Sequence, residues 1–174
     1  NGEKLEERGA LQLEKILNDD YVKFISFAQQ KIKQNGYGIF AYINNHTFLD
    51  NPTMRGMRAN LLNDFTEIYI LNLHGNLKQK ITNEIDENVF NIQQGVSVNI
   101  FIKREGVNNN SSAKIYYSEI KGKKNNKFSF LSINTIENTS FQELNPNPPY
   151  YFFIPKSEKM EAEYSTFKES CCLI

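Results

Sequence analysis

The stretch Asn147-Pro148-Pro149-Tyr150 carries the most specific chemistry in this chain. An asparagine amide oxygen and the carbonyl of the following proline can accept both N–H bonds of an exocyclic amine on an aromatic ring. Such an amine is a poor nucleophile, because its lone pair is delocalised into the ring. Held in this way, it can be aimed at a sulfonium methyl group while the tyrosine stacks on the extruded heterocycle. That chemistry needs the tetrapeptide at the C-terminal end of a buried strand, with an apolar run before it. Here the order is reversed. The polar "SFQELNP" precedes the tetrapeptide and the apolar "YYFFIP" follows it, with the chain ending at Ile174, too soon for the rest of such a sheet. The expectation is a structural proline-rich turn and no catalytic residue.

Other residue sets suggest weaker chemistry. Glu119 and Lys121 on one expected strand form half of a metal-dependent nuclease motif, but that motif needs a further acidic residue from a preceding turn. No aspartate lies between Glu87 and Glu119. His46 and His74 are far apart in sequence and have no cysteine cluster near them, so no metal site is expected. The adjacent Cys171 and Cys172 are the only cysteines, which points to a reducing, cytoplasmic setting. Arg55 and Arg58 are either solvated helix charges or phosphate contacts.

These residues must be positioned by ordinary globular elements. The 174 residues suffice for one domain with a sizeable core. Equal numbers of acidic and basic residues, 20 of each, remove the basic excess usual in a nucleic-acid-binding module. No apolar run approaches the roughly 20 residues of a membrane span. "NDDYVKFISFAQQKIKQNG" predicts a helix capped by Asp19 or Asp20 and stopped by Gly36, its apolar face widened by Phe24 and Phe27. "GIFAYIN" predicts a strand buried on both faces. "TMRGMRANLLNDF" predicts a second helix, "TEIYILNL" another buried strand, and "VSVNIFIK" and "AKIYYSEI" antiparallel strands after a long polar connection. "KFSFLSI" predicts a strand, "PPYYFFIP" an extended segment and "SEKMEAEYSTFKES" a helix. The alternation of helix and strand over the first half is the rhythm of a doubly wound α/β sheet.

The segment "DDYVKFISFAQQKIKQNGYGIFAYINNHTFLDNPTMRGMRANLLNDFTEIYILNLHGN", followed by "DENVFNIQQGVSVNIFIKR", resembles the adenine-specific DNA methyltransferase region of type IIG and type ISP restriction-modification enzymes. The resemblance covers roughly residues 18 to 104. It implies the C-terminal part of a Rossmann-like sheet dependent on S-adenosylmethionine, and a fragment, because the glycine-rich cofactor loop and the catalytic NPPY of that family lie upstream of the matched helix. It divides the chain into a lead-in over 1–18, the C-terminal half of a methyltransferase core over 19–104, and an extension over 105–174 leading towards target recognition.

By the same resemblance, Tyr21 and Phe24 match positions lining the adenine side of the cofactor pocket. Asn45 and His46 lie in the loop after the strand that follows the catalytic one. Phe90 matches the aromatic residue that helps hold the flipped adenine, and Gln94 the loop before the last core strand. Each has a structural competitor: plain core for Phe24 and Phe90, loop hydrogen bonding for His46. The parent protein would methylate adenine in double-stranded DNA and carry a linked endonuclease, while the fragment alone would be inactive. The alternative is a non-catalytic DNA- or protein-binding module of such a system. A sheet lacking half its strands should expose apolar edges and self-associate.

Overall fold

The computed structural model describes residues 18–76, 85–107 and 112–155. The expected lead-in helix and the helix over 157–170 lie outside them. Helix α1, Asp20–Asn35, begins where the Asp19 side chain accepts from the Asp20 N–H. It ends at Gly36, whose φ of +83° suits glycine and whose N–H returns to Ile32. It buries Tyr21, Ile25 and Ile32. Phe24 and Phe27, expected to widen that face, are instead 58% and 60% exposed.

Strand β1, Gly38–Asn45, leads through two short 3₁₀ turns into helix α2, Arg55–Asp64. Strands β2, Glu67–His74, β3, Val96–Lys103, and β4, Lys114–Glu119, follow, then helix α3, Lys124–Ile133, and the short strand β5, Gln142–Leu144. The sheet order is β1-β3-β2-β4-β5. β3 is antiparallel to both β1 and β2, β4 is parallel to β2, and β5 is antiparallel to β4. The architecture is thus mixed α/β, mostly antiparallel with one parallel pair. β3 and β4 do not pair as consecutive antiparallel strands. β3 inserts between β1 and β2, leaving the far edge of β2 for β4. This one sheet runs without a break across the expected boundary at residue 104.

The topology makes β1, β2 and β4 run in the same direction, so Asn45, His74 and Glu119 finish at one edge. One sheet face is the main core, where Ile68, Ile70, Phe101 and Ile115 pack with Ile25 of α1 and Leu61 of α2. On the other face Phe130 and Leu131 of α3 stand over Tyr69, Leu71, Val98 and Ile100. The "KFSFLSI" segment is therefore helix, not strand. Short apolar runs do not distinguish the two by periodicity.

β1 departs from the buried strand its composition suggests. It is the sheet edge, and Ile39 and Ile43 are 70% and 48% exposed. The strand expected to be buried on both faces thus has an open edge and an exposed apolar surface.

Candidate functional site

The edge where β1, β2 and β4 end opens into a polar cleft of about 370 Å³. Ligands of sheets with co-oriented strands bind at this C-terminal edge. His46, the first residue after β1, places Nδ1 3.0 Å from Oδ1 of Asn72. Asn72 donates from Nδ2 to the Tyr117 hydroxyl, which donates to Oε2 of Glu119 at 2.8 Å. Nε2 of His74 lies 3.0 Å from the same carboxylate oxygen. Lys121 completes the group, 3.3 Å from Oε1 of Glu119.

Local backbone irregularity builds this arrangement. The β2–β3 register shifts between Asn72 and His74, and such bulges re-aim side chains. His74 then sits at φ +50°, a left-handed conformation that costs a non-glycine residue energy. Gly95 leaves room for the imidazole of His46: a Cβ there would lie 2.4 Å from the ring. Gly95→Ala should therefore push the ring off Asn72 and lower stability by about 1–3 kcal/mol. Urea denaturation checks this, and an unchanged midpoint would mean that the ring moves aside freely.

Burial lowers the pKa of His74 against the opposing pull of Glu119. At neutral pH the contact is a hydrogen bond from a neutral imidazole, although its geometry is that of an ion pair. Burial alone would raise Glu119, but hydrogen bonds from Tyr117, His74 and Lys121 outweigh it and lower its pKa. Tyr117 is raised by burial and stays protonated as a donor.

The loop between β2 and β3 is pinned near both ends. Nδ2 of Asn88 donates to the carbonyls of Gly75 and Gln94, and its Oδ1 accepts from the Phe90 N–H. Val89 fills the core, whereas Phe90 is 45% exposed. Gln94 is exposed and is tied through its carbonyl. Asn45 spends its side-chain oxygen on Thr47, capping the first 3₁₀ turn. Tyr21 is buried, its pKa pushed up to about 12 by desolvation. Phe24 lies on an apolar trough with Phe27, Ile39, Phe40 and Tyr42. The structure thus brings His46, but not Tyr21 or Phe24, to the polar cleft. His74, Asn72, Tyr117 and Glu119 were not singled out as partners of His46, because only the β1-β3-β2-β4 order brings them together.

Arg58 is neither a solvated charge nor a phosphate contact. It is fully buried and binds the carbonyls of Phe48, Asn51 and Tyr150. Arg55 is an exposed helix charge bonded to the Pro52 carbonyl at 3.4 Å. NPPY forms a turn, with the Tyr151 N–H donating to Asn147 O. The preceding strand β5 ends opposite Ile115, near the start of β4 and so at the edge remote from the cleft. Glu119 and Lys121 pair with each other, and no group of three metal-ligating side chains occurs among the described residues. No helix among them is long and apolar enough to cross a membrane.

Solved structures share this fold, among them the following three. The DrdV–DNA complex matches with a TM-score of 0.68 and 26% identity over 82% of this chain and 14% of that one. The ATP-dependent Type ISP restriction-modification enzyme LlaBIII bound to DNA matches with a TM-score of 0.67 and 26% identity, over 83% of this chain and 10% of that one. A nuclease-deletion mutant of the Type ISP restriction-modification enzyme LlaGI, in complex with a DNA substrate mimic, has a TM-score of 0.71. At 20% identity, over 84% of this chain and 14% of that one, it speaks to fold alone. No family model and no curated protein matches the chain by sequence. The chain is similar to a small segment of large proteins whose structures hold DNA, two of them Type ISP restriction-modification enzymes, and it spans between 10% and 14% of the lengths of these three chains.

Proposed function

We propose that this chain is the C-terminal half of the adenine-methylating core of a DNA restriction-modification enzyme. The observation that carries this reading is the open side of the sheet. β1 has a free edge, with Ile39 and Ile43 exposed and the Phe24–Tyr42 trough open beside it. Such a surface suits an upstream continuation of the same sheet. The DNA-bound neighbours support the same reading.

S-adenosylmethionine supplies an activated methyl group for transfer to the exocyclic amine of adenine. Towards that cofactor the chain offers an aromatic wall. Phe24 is exposed and stands edge-on to Tyr42, with ring centroids 6.2 Å apart. Tyr21 supports the helix from within the core. The trough has no carboxylate for the ribose hydroxyls, so those contacts fall to upstream residues. On the DNA side, Phe90 projects from its pinned loop and suits stacking on an extruded adenine, with Gln94 beside its exit and Asn45 and His46 at the adjoining edge. Double-stranded DNA is the partner, and a reducing cytoplasm the setting. Because NPPY here is a turn and not a loop after a buried strand, the isolated chain is non-catalytic, and it is prone to self-association through β1.

Calorimetric titration of S-adenosylmethionine tests the cofactor assignment, first into this chain and then into a longer protein carrying the upstream segment. The expected result is saturable binding only with the longer protein, weakened about tenfold by Phe24→Ala, the scale of one aromatic stacking contact. Binding to the longer protein that is indifferent to Phe24→Ala would sink the wall assignment.

A further inference from the structure

We propose that the turn opening α3, with Lys123, Lys124 and the exposed Asn125 and Asn126, is a contact surface for the backbone phosphates of DNA, fixed to the Phe90 loop as one rigid unit. The inference rests on DNA being the partner. Three observations carry it.

The first is charge segregation. The chain is neutral as a whole, with 20 basic and 20 acidic residues, yet Ile120 to Ile136 holds four lysines and no acidic residue. Lys127 is buried and committed to Asp86, and Lys121 pairs with Glu119. Lys123 and Lys124 have no carboxylate partner among the described residues. The ammonium of Lys124 lies 5.6 Å from the ring centre of the exposed Phe128, a contact that orients it without neutralising it. Two adjacent unneutralised cations beside exposed amides are the side-chain types that contact phosphate oxygens. The helix terminus itself is not the anion site, because Oε2 of Glu87 already accepts the Lys124 N–H at 2.7 Å.

The second is location. β1, β2 and β4 end at one edge, and the lysine turn follows the last residue of β4, Glu119, at that same edge. The third is rigidity. The Glu87 N–H donates to the Gly122 carbonyl and the Gly122 N–H to Oδ1 of Asp86, both at 3.0 Å. Nζ of Lys127 donates to the Glu87 carbonyl at 2.7 Å, and Oδ1 of Asn88 accepts from the Phe90 N–H. The turn and the Phe90 loop are thus tied backbone to backbone. Phosphate contacts fix where a protein sits on a strand, so a turn tied in this way sets the position of the strand relative to Phe90.

The test is fluorescence anisotropy of a labelled DNA duplex, titrated with the longer protein carrying the upstream segment at several salt concentrations. The slope of log affinity against log salt falls in magnitude by about 1 for each lysine–phosphate contact removed. Lys123→Ala and Lys124→Ala should each lower it by about that amount, equally on duplexes of different sequence, and Lys123→Arg should keep the parent slope. Lys33→Ala, near the end of α1 and at the opposite edge, removes the same charge and should leave the slope unchanged. An unchanged slope in the double variant Lys123→Ala, Lys124→Ala would overturn the contact surface while leaving DNA association standing. No binding by the parent protein would overturn both. An equal fall in Lys33→Ala would show that net charge, not this turn, is read, and a loss confined to one duplex sequence would replace phosphate contact with base contact.

Discussion

Arg58→Ala is expected to destabilise the chain by about 3–5 kcal/mol, enough to remove most of the stability of a marginal domain. The guanidinium is buried, with Nη1 2.7 Å from the Phe48 carbonyl and 2.9 Å from that of Asn51. Nε and Nη2 both donate to the Tyr150 carbonyl, at 3.0 and 2.6 Å. Its plane also lies over Phe152, 5.1 Å from the ring centre. Burial lowers its pKa to about 10 against the favourable field of Asp50, so it remains charged at neutral pH. Desolvating that charge is costly, and the carbonyls are what offset the cost. Removing the side chain leaves a cavity and takes the guanidinium's hydrogen bonds from the carbonyls of Phe48 and Tyr150, while that of Asn51 keeps the Met54 N–H, and it loosens the tie between α2 and the segment around Tyr150. Arg58→Met keeps much of the volume but restores no donor, so it should lie between alanine and the parent. Urea denaturation of both variants checks this. If Arg58→Met unfolds at the parent's midpoint, water replaces the donors and the clamp contributes nothing.

The second large effect is expected at Lys127. Its side chain is fully buried at the start of α3, and its Nζ donates to the carbonyls of Leu73 and Glu87 and to Oδ1 of Asp86, at 2.6–2.7 Å. Asp86 in turn accepts from the Gly75 and Gly122 N–H groups. One ammonium thus joins the end of β2, the entry of the Phe90 loop and α3. Lys127→Met should destabilise by about 3 kcal/mol, because it leaves a partly buried carboxylate without its cation. With Asp86→Asn, a double-mutant cycle should show coupling of at least about 1 kcal/mol.

The pH dependence has a defined sign. Burial would raise the pKa of Asp86, but hydrogen bonds from Lys127, Gly75 and Gly122 outweigh it and lower the folded value. The folded state therefore binds this proton less readily than the unfolded chain. The stabilisation is present above the unfolded carboxylate value, near about pH 4, and is lost as pH falls through the lower folded value. Lys127→Met should flatten that acid limb. A variant whose stability falls with acid as steeply as the parent's would show that Asp86 does not depend on Lys127.

Much of the local structure is legible in the order of residues. Apolar spacing and the caps at Asp19 and Gly36 place α1. Period-two patterning places β3, and the apolar runs place β1 and β2, because such patterns report which side of an element meets a core. The reversed context of NPPY points to a turn, and a turn is what forms. Residues 18 to 104 also carry the resemblance to restriction-modification enzymes, and solved structures of Type ISP restriction-modification enzymes share the fold. Patterning does not say which strand neighbours which. The position of β3 between β1 and β2 and the parallel pairing of β4 with β2 were settled by tertiary packing, and with them the meeting of His46, Asn72, His74, Tyr117 and Glu119. Nor does residue type reveal a buried charge. Arg58 reads as a solvated helix charge or a phosphate contact, and nothing in the sequence marks Lys127, because burial of such groups is rare. Only the carbonyls brought to them from distant segments make their burial possible. Spacing and apolar runs thus placed α1, α2 and β1 to β4, and tertiary structure decided the strand order, the cleft and the two buried cations, because each depends on groups far apart in the chain.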